Sequence, residues 1–120
     1  HVLIAEDTPE LQLLERRILE GMGLTVSLAV DGGEVMEMVK QHSFDLILMD
    51  MQMPVLDGIE ATKIIRDCGD QTTVIALTAN VMQKHRDAFT AAGCDDFLSK
   101  PIDKQELRRI LKFYLSKSHE

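Results

Sequence analysis

Three carboxylates, one hydroxyl and one ammonium group stand directly after short apolar runs, at the points where buried strands would end. These residues are Glu6, Asp7, Asp50, Thr78 and Lys100. If the strands are parallel and share one sheet, their carboxyl ends meet at one rim, and the five side chains converge on a single crevice. Each residue alone is an ordinary turn or loop residue, so it is their joint occurrence at four strand ends that indicates a site.

Three carboxylates in one crevice repel one another. Two like charges about 4 Å apart repel by roughly 4 kcal/mol at an effective dielectric constant of about 20. Lys100 offsets only part of this repulsion, whereas a hard divalent cation resolves it. Mg²⁺ prefers oxygen ligands and keeps several waters, so one or two carboxylates are enough to hold it. The residue types therefore predict a site for Mg²⁺ and an oxyanion.

The elements that must position these residues follow from hydrophobic periodicity. Apolar runs predict strands at residues 2–5, 46–49, 73–77 and 97–98, and the alternation of Leu24, Val26 and Leu28 predicts a half-buried strand at residues 24–28. Segments of helical period between them predict helices at about residues 9–22, 31–41, from 57 onward, 81–92 and 103–114. Strands that are apolar throughout and joined by helices favour a doubly wound α/β fold, in which five β-α units form a parallel sheet covered on both faces.

Some local details of these helices are also predicted. In the first helix, Thr8 is expected to act as the N-cap before Pro9. Capping boxes are expected at residues 57–60 and 103–106. The inward stripe of the first helix is expected to comprise Leu11, Leu14, Ile18 and Met22.

Composition limits the classes of function. The chain of 120 residues suits one domain covering residues 1–120, and its net charge of −7 argues against direct binding of nucleic acid. No apolar run is long enough to span a bilayer, so direct membrane contact is not expected. The two cysteines form no metal or redox motif, which favours reduced thiols in the cytoplasm. Because the chain opens directly on a strand-like segment without an initiator Met, we expect it to be cut from a longer polypeptide.

Two other uses of such a crevice fit poorly. A flavin mononucleotide site needs a loop rich in Gly, Ser or Thr after the first strand, but the acidic loop at residues 6–10 would repel phosphate. A phosphatase of the haloacid dehalogenase type would have a second aspartate two residues after the nucleophile, and this chain has Gln52 there.

These residues together resemble the receiver domain of two-component response regulators. The resemblance extends from Val2 to about Leu115 and is carried by Glu6-Asp7, by "LMDMQMPVLDGIE", by "ALTA" and by "DDFLSKP". Each motif is weak alone, but their order and spacing are specific. The resemblance implies a flavodoxin-like (CheY-like) fold with strand order 2-1-3-4-5.

The resemblance also implies roles for the site residues. Asp50 would be the phosphoacceptor that takes a phosphoryl group from a phosphohistidine. Asp7, Asp50 and the backbone carbonyl of Gln52 would bind Mg²⁺, with Glu6 acting through a water. Lys100 would contact the phosphoryl group.

Thr78 and Phe97 would form the conformational switch of the family. Thr78 would move to bond a phosphoryl oxygen, and Phe97 would turn inward behind it. The sequence departs from the common pattern at two positions, because Glu6 stands where Asp is commoner and Phe97 stands where Tyr is commoner.

The stretches "DMQMPVLDGIEATKIIR" and "ALTAN" resemble receivers fused to sensor histidine kinases. We therefore expect the cytoplasmic receiver of a hybrid histidine kinase, one that can be membrane-anchored, with a histidine kinase or histidine phosphotransfer domain as partner. The domain itself would be a phosphoacceptor, and its parent chain a phosphotransferase. Leu13 lies off the inward stripe of the first helix, and we expect it to form part of an apolar docking patch for a helix of the phosphotransfer partner. The alternatives are a stand-alone response regulator, a non-phosphorylated interaction module of the same fold and a small flavodoxin-like enzyme.

Overall fold

The structure is a computed structural model that describes residues 1–50, 58–78, 83–99 and 103–117 of the chain. Five strands alternate with five helices. The strands are β1 (Val2–Ala5), β2 (Val26–Ala29), β3 (Leu46–Asp50), β4 (Thr73–Thr78) and β5 (Asp96–Ser99). The helices are α1 (Pro9–Gly21), α2 (Gly32–Gln41), α3 (Gly58–Asp67), α4 (Gln83–Ala92) and α5 (Lys104–Lys117). The predicted alternation is confirmed, with boundaries that differ by at most three residues where both ends are described.

The five strands form one parallel sheet in the order β2-β1-β3-β4-β5, which confirms the predicted topology. Parallel pairing requires each connection to run from the carboxyl end of one strand back to the amino end of the next, and a helix provides each return. The chain therefore delivers every strand's carboxyl end to the same rim.

The sheet is buried on both faces, because successive side chains of a strand point to opposite sides. Leu3, Ile47 and Val74 contribute to the core beneath α2, α3 and α4. Ile4 and Leu48 contribute to the core beneath α1 and α5. This burial on both faces explains why the inner strands β1, β3 and β4 read as nearly continuous apolar runs, whereas the edge strand β2 is mostly half-buried and alternates.

The buried face of α1 differs from the prediction. Leu14 was expected to point inward, but its side chain is 44% exposed, whereas Glu15 is 2% exposed and Leu19 is fully buried. The face that packs against the sheet includes Glu15, Ile18 and Leu19, and this orientation turns Leu14 toward solvent. The prediction was wrong at Leu14 because a glutamate occupies an inward position.

The predicted caps are confirmed only in part. Thr8 is the N-cap residue of α1, but its side chain makes no capping hydrogen bond. At α5, the Asp103 carboxylate accepts the backbone N–H of Gln105 over 2.8 Å, while Glu106 pairs with Arg109 instead of turning back. The predicted box at residues 57–60 begins outside the described residues.

Two expectations about the chain's setting can be compared with the described residues. None of their helices is both long and apolar enough to cross a membrane. Both cysteines are free, with Cys94 buried and Cys68 exposed. Burial raises the pKa of the Cys94 thiol, so this thiol stays protonated and inert.

Candidate functional site

The predicted site residues that the structure describes lie at the rim formed by the carboxyl ends of the strands. Ala5 of β1 lies beside Met49 of β3, so Glu6 and Asp50 leave the sheet side by side. Farther along the rim, Thr78 of β4 is in register with Ser99 of β5. The parallel register therefore places the ends of four strands in one row.

Three carboxylates form a cluster at this rim. Glu6, Asp7 and Asp50 each offer an oxygen, and these oxygens all lie within 4.8 Å of one another. Glu6 is fully buried and Asp50 is 2% exposed, whereas Asp7 faces solvent. Burial weakens the screening between the carboxylates, so the cluster holds a concentrated negative charge that is open to solvent on one side. Such an all-oxygen donor set suits a hard cation such as Mg²⁺.

The loop that carries Glu6 is held in place from both sides. The backbone N–H of Glu6 donates to the carbonyl of Ala29 on β2 over 3.0 Å. The side-chain amide of Gln12 in α1 donates to the carbonyl of Glu6. These contacts fix the turn between β1 and α1. Sequence reasoning missed Gln12, because no motif marks a glutamine whose partner is a loop carbonyl.

Thr78 ends β4 with only 8% of its side chain exposed. Ala76 is in register with Phe97, and Thr78 is two residues beyond Ala76. Because strand side chains alternate, Thr78 and Phe97 point to the same face of the sheet. Phe97 is half-buried there, with its ring centroid 6.0 Å from that of Phe89. The Thr78 hydroxyl and the Phe97 ring therefore lie on the same face of the sheet, with Thr78 nearer the rim.

Two predicted site residues cannot be placed. Gln52 and Lys100 lie outside the described residues. Lys100 directly follows Ser99, the last residue of β5. The structure thus brings together Glu6, Asp7 and Asp50, and it puts Thr78 at the same rim by register.

A family model for the response regulator receiver domain matches residues 2–112. The signal transduction histidine-protein kinase BarA of Escherichia coli K12 is 40% identical over 115 residues, which are 94% of this chain and 12% of that protein. The chain spans less than a fifth of the length of the first curated relatives it matches.

Two solved structures are close in shape. The receiver domain of sensor histidine kinase PA1611 from Pseudomonas aeruginosa PAO1, with a magnesium ion in its active site cleft, has a TM-score of 0.88, 38% identity and 96% coverage of both chains. The receiver domain of Ssk1 from Saccharomyces cerevisiae, in complex with the histidine phosphotransfer signaling protein Ypd1, has a TM-score of 0.90 and 32% identity, over 94% of this chain and 86% of that one. With its fold, its acidic rim and these matches, the chain belongs to the response regulator receiver domain family and is a receiver domain of a two-component phosphorelay.

Proposed function

We propose that Asp50 accepts the phosphoryl group in this phosphorelay. The observation that carries the proposal is the burial of the Asp50 carboxylate beside those of Glu6 and Asp7, at the carboxyl ends of the strands. In the transfer, an Asp50 oxygen bonds to phosphorus, the phosphorus–nitrogen bond of the phosphohistidine breaks, and the released imidazole takes up a proton. The product is an acyl phosphate on Asp50 and a neutral histidine on the partner.

Mg²⁺ is the cation we propose for the cluster. Asp7 and Asp50 would hold it directly and Glu6 through a water, with the Gln52 carbonyl as a further ligand. When bound, the ion would neutralise charge on the transferring phosphoryl oxygens, a part to which Lys100 would also contribute. The all-oxygen donor set at the cluster supports this assignment, as does the magnesium ion in the related PA1611 receiver.

We further propose that Thr78 and Phe97 switch conformation after phosphorylation. The Thr78 hydroxyl would donate to a phosphoryl oxygen, and its inward movement would make room for Phe97 on the same face of the sheet. Beryllofluoride with Mg²⁺ mimics the phosphoryl group without chemistry. Its addition should shift the amide resonances of Asp50, Thr78 and Phe97 in NMR spectra, and unchanged resonances at Thr78 and Phe97 would contradict the switch.

A small phosphodonor tests the phosphoacceptor directly. Incubation with acetyl phosphate and Mg²⁺ should add one phosphoryl group to the intact chain, measured by mass spectrometry. Asp50→Asn should abolish the addition, while Asp67→Asn, at the end of α3, should leave it unchanged. Phosphorylation of Asp50→Asn, or none in the unsubstituted chain, would contradict the proposal. The second result would favour the interaction module.

The partner is proposed to be a histidine phosphotransfer domain or a histidine kinase, and the parent a hybrid histidine kinase in which residues 1–120 form one receiver domain. The parent would be anchored in the membrane, with this domain in the cytoplasm. A docking surface is available near the rim, where Leu13 is 51% exposed, Leu14 44% and Val30 43%. Val30 directly follows Ala29, whose carbonyl holds Glu6. The resemblance to BarA and the Ypd1-bound receiver support these choices of parent and partner.

The Leu13→Asp variant distinguishes an effect on partner docking from an effect on the phosphorylation reaction. This variant should slow transfer from a phosphorylated phosphotransfer domain while leaving phosphorylation by acetyl phosphate unchanged. Ile64→Asp, which adds the same charge to an exposed position on the opposite helical layer, is the matched control. If both variants transfer at the unsubstituted rate, this docking surface is wrong.

A further inference from the structure

A groove lies between α1 and α5, and none of its lining residues belongs to the carboxylate cluster. Its main part has a volume of about 510 Å³, and an extension along the helices has about 150 Å³. Both parts are lined by Gly21, Met22 and Arg108, so they are continuous. The main part reaches Leu24, just before β2, and so opens toward the amino ends of the strands, while the extension reaches Lys104, the first residue of α5.

The floor of this α1–α5 groove is apolar. Met22 and Leu24 line one side, and Leu111 and Leu115 line the other. All four belong to the core beneath α1 and α5 or pack against it. The groove therefore offers apolar surface that is continuous with the interior, which a partner could cover at a gain of roughly 25 cal/mol per Å² buried.

The walls of the groove are basic. Arg17 projects from α1, and Lys104, Arg108 and Lys112 recur at every fourth position along α5. Among the described residues, none of these four cations forms an ion pair, and no Asp or Glu lines the groove. Four of the chain's 13 basic residues thus concentrate here in a protein of net charge −7. This positive stripe selects an anionic ligand.

We propose that the α1–α5 groove binds an acidic amphipathic helix of a protein partner. Lys104 and Lys112 are eight residues apart, or about 12 Å along the α5 axis. Acidic side chains at every fourth position of a second helix repeat with the same spacing, and its apolar stripe would cover the floor. An anionic bilayer fits less well, because the net charge of −7 repels it outside the stripe.

This proposal is independent of the phosphoacceptor. None of the three clustered carboxylates lines the groove, so a helix bound there would not need to contact Glu6, Asp7 or Asp50. Binding also needs neither Mg²⁺ nor Asp50, and the chain can therefore be tested without phosphorylation.

The probe is a helical peptide of about 15 residues with a leucine stripe flanked by Glu at every fourth position. A control peptide has the same composition with its Glu residues spread around the helix. We expect saturable NMR shifts at Met22, Leu24, Arg108 and Lys112 with the patterned peptide alone, and weaker binding at high salt. Equal binding of the two peptides, or shifts away from the groove, would overturn the proposal.

Neighbouring charge reversals on α5 provide matched variants. Arg108→Glu, in the groove, should weaken peptide binding at least about tenfold. Arg109→Glu makes the same change of charge outside the groove, at a 61% exposed side chain, and should weaken it less than about twofold. Equal weakening would reduce the effect to net charge and overturn the proposal. So would Arg108-dependent binding of phosphatidylglycerol vesicles without peptide binding, or self-association of the chain that masks the groove.

Discussion

The hydroxyl of Tyr114 on α5 lies 3.2 Å from a carboxylate oxygen of Asp96 on β5, and the other oxygen of that carboxylate accepts the backbone N–H of Phe97 over 2.8 Å. The same hydroxyl lies 3.0 Å from the carbonyl oxygen of Asp95. One carboxylate thus joins the last helix to the residue proposed as the switch aromatic. A displacement of the Phe97 backbone would strain the contact between β5 and α5.

Tyr114 can be followed by its own absorbance, because the chain has one Tyr and no Trp. Burial and the negative charge of Asp96 raise the pKa of Tyr114 from 10.0 to about 12. We therefore expect little phenolate absorbance from the folded protein at pH 10–11, while the urea-unfolded chain titrates near 10. Since the folded pKa is raised, the hydroxyl's contribution to stability is complete below pH 10 and is lost as the pH rises through about 12.

Two variants check the cause of this shift. Asp96→Asn should move the Tyr114 titration toward 10, because it removes the nearby negative charge. Tyr114→Phe should cost about 1 kcal/mol at pH 7 and should lose less stability between pH 10 and 12 than the unsubstituted chain, measured by urea unfolding. A native midpoint near 10 would contradict the shift itself, and an unchanged midpoint in Asp96→Asn would contradict the contribution of Asp96.

The carboxylate cluster should destabilise the chain when no cation is bound. Asp50→Asn removes one of three charges whose oxygens lie within 4.8 Å, so we expect it to stabilise the fold by on the order of 1 kcal/mol in the presence of a chelator. Mg²⁺ should raise the melting temperature of the unsubstituted chain more than that of the variant, because a ligand that binds only the native state stabilises it more when it binds more tightly. Equal Mg²⁺ effects would argue against the cluster as the binding site.

The sheet and the acidic rim could be predicted because each strand is indicated by its own residues. The run of residues 46–49 is fully buried, as expected for a short apolar run that forms a strand covered on both faces. Once the strands are parallel, topology alone brings Glu6 and Asp50 to one rim. The site thus followed from the order of the elements, without knowledge of any side-chain contact.

The features that could not be predicted are the orientation of each helix about its axis and the contacts between elements that are distant in sequence. Hydrophobic periodicity favoured Leu14 as an inward residue of α1, but packing against the sheet and α5 buries Glu15 instead. The bond from Gln12 to the Glu6 carbonyl and the link from Tyr114 to Asp96 join residues by geometry that no local pattern encodes. Pattern reasoning therefore located the layers and missed the contacts that tie them together.

The core beneath α1 and α5 should respond strongly to a cavity. Leu107 of α5 is fully buried, so Leu107→Ala should reduce the free energy of unfolding by about 2–5 kcal/mol. Leu14→Ala makes the same change at a side chain that is 44% exposed, and it should cost less than about 1 kcal/mol. Urea unfolding measures both. Equal costs would mean that the orientation of α1 described here is wrong.

Two glycines after helices separate backbone strain from steric conflict. Gly69 and Gly93 both have positive φ, at 84° and 113°. An added Cβ at Gly69 meets nothing within 4 Å, whereas at Gly93 it would lie 2.6 Å from Cγ of Arg66. We expect Gly69→Ala to cost about 1 kcal/mol from strain alone, and Gly93→Ala to cost about 2–4 kcal/mol in urea unfolding.

The excess cost at Gly93 should come from Arg66. The Arg66 guanidinium donates to the carbonyls of Gly93, Asp70 and Thr72, and to the carboxylate of Asp95. It thus ties the end of α3 to the starts of β4 and β5, and a displaced side chain cannot keep all four bonds. Arg66→Ala should therefore destabilise the Gly93→Ala chain less than the unsubstituted chain, in a double-mutant cycle. Additive costs would show that strain alone explains Gly93→Ala and that Arg66 keeps its bonds.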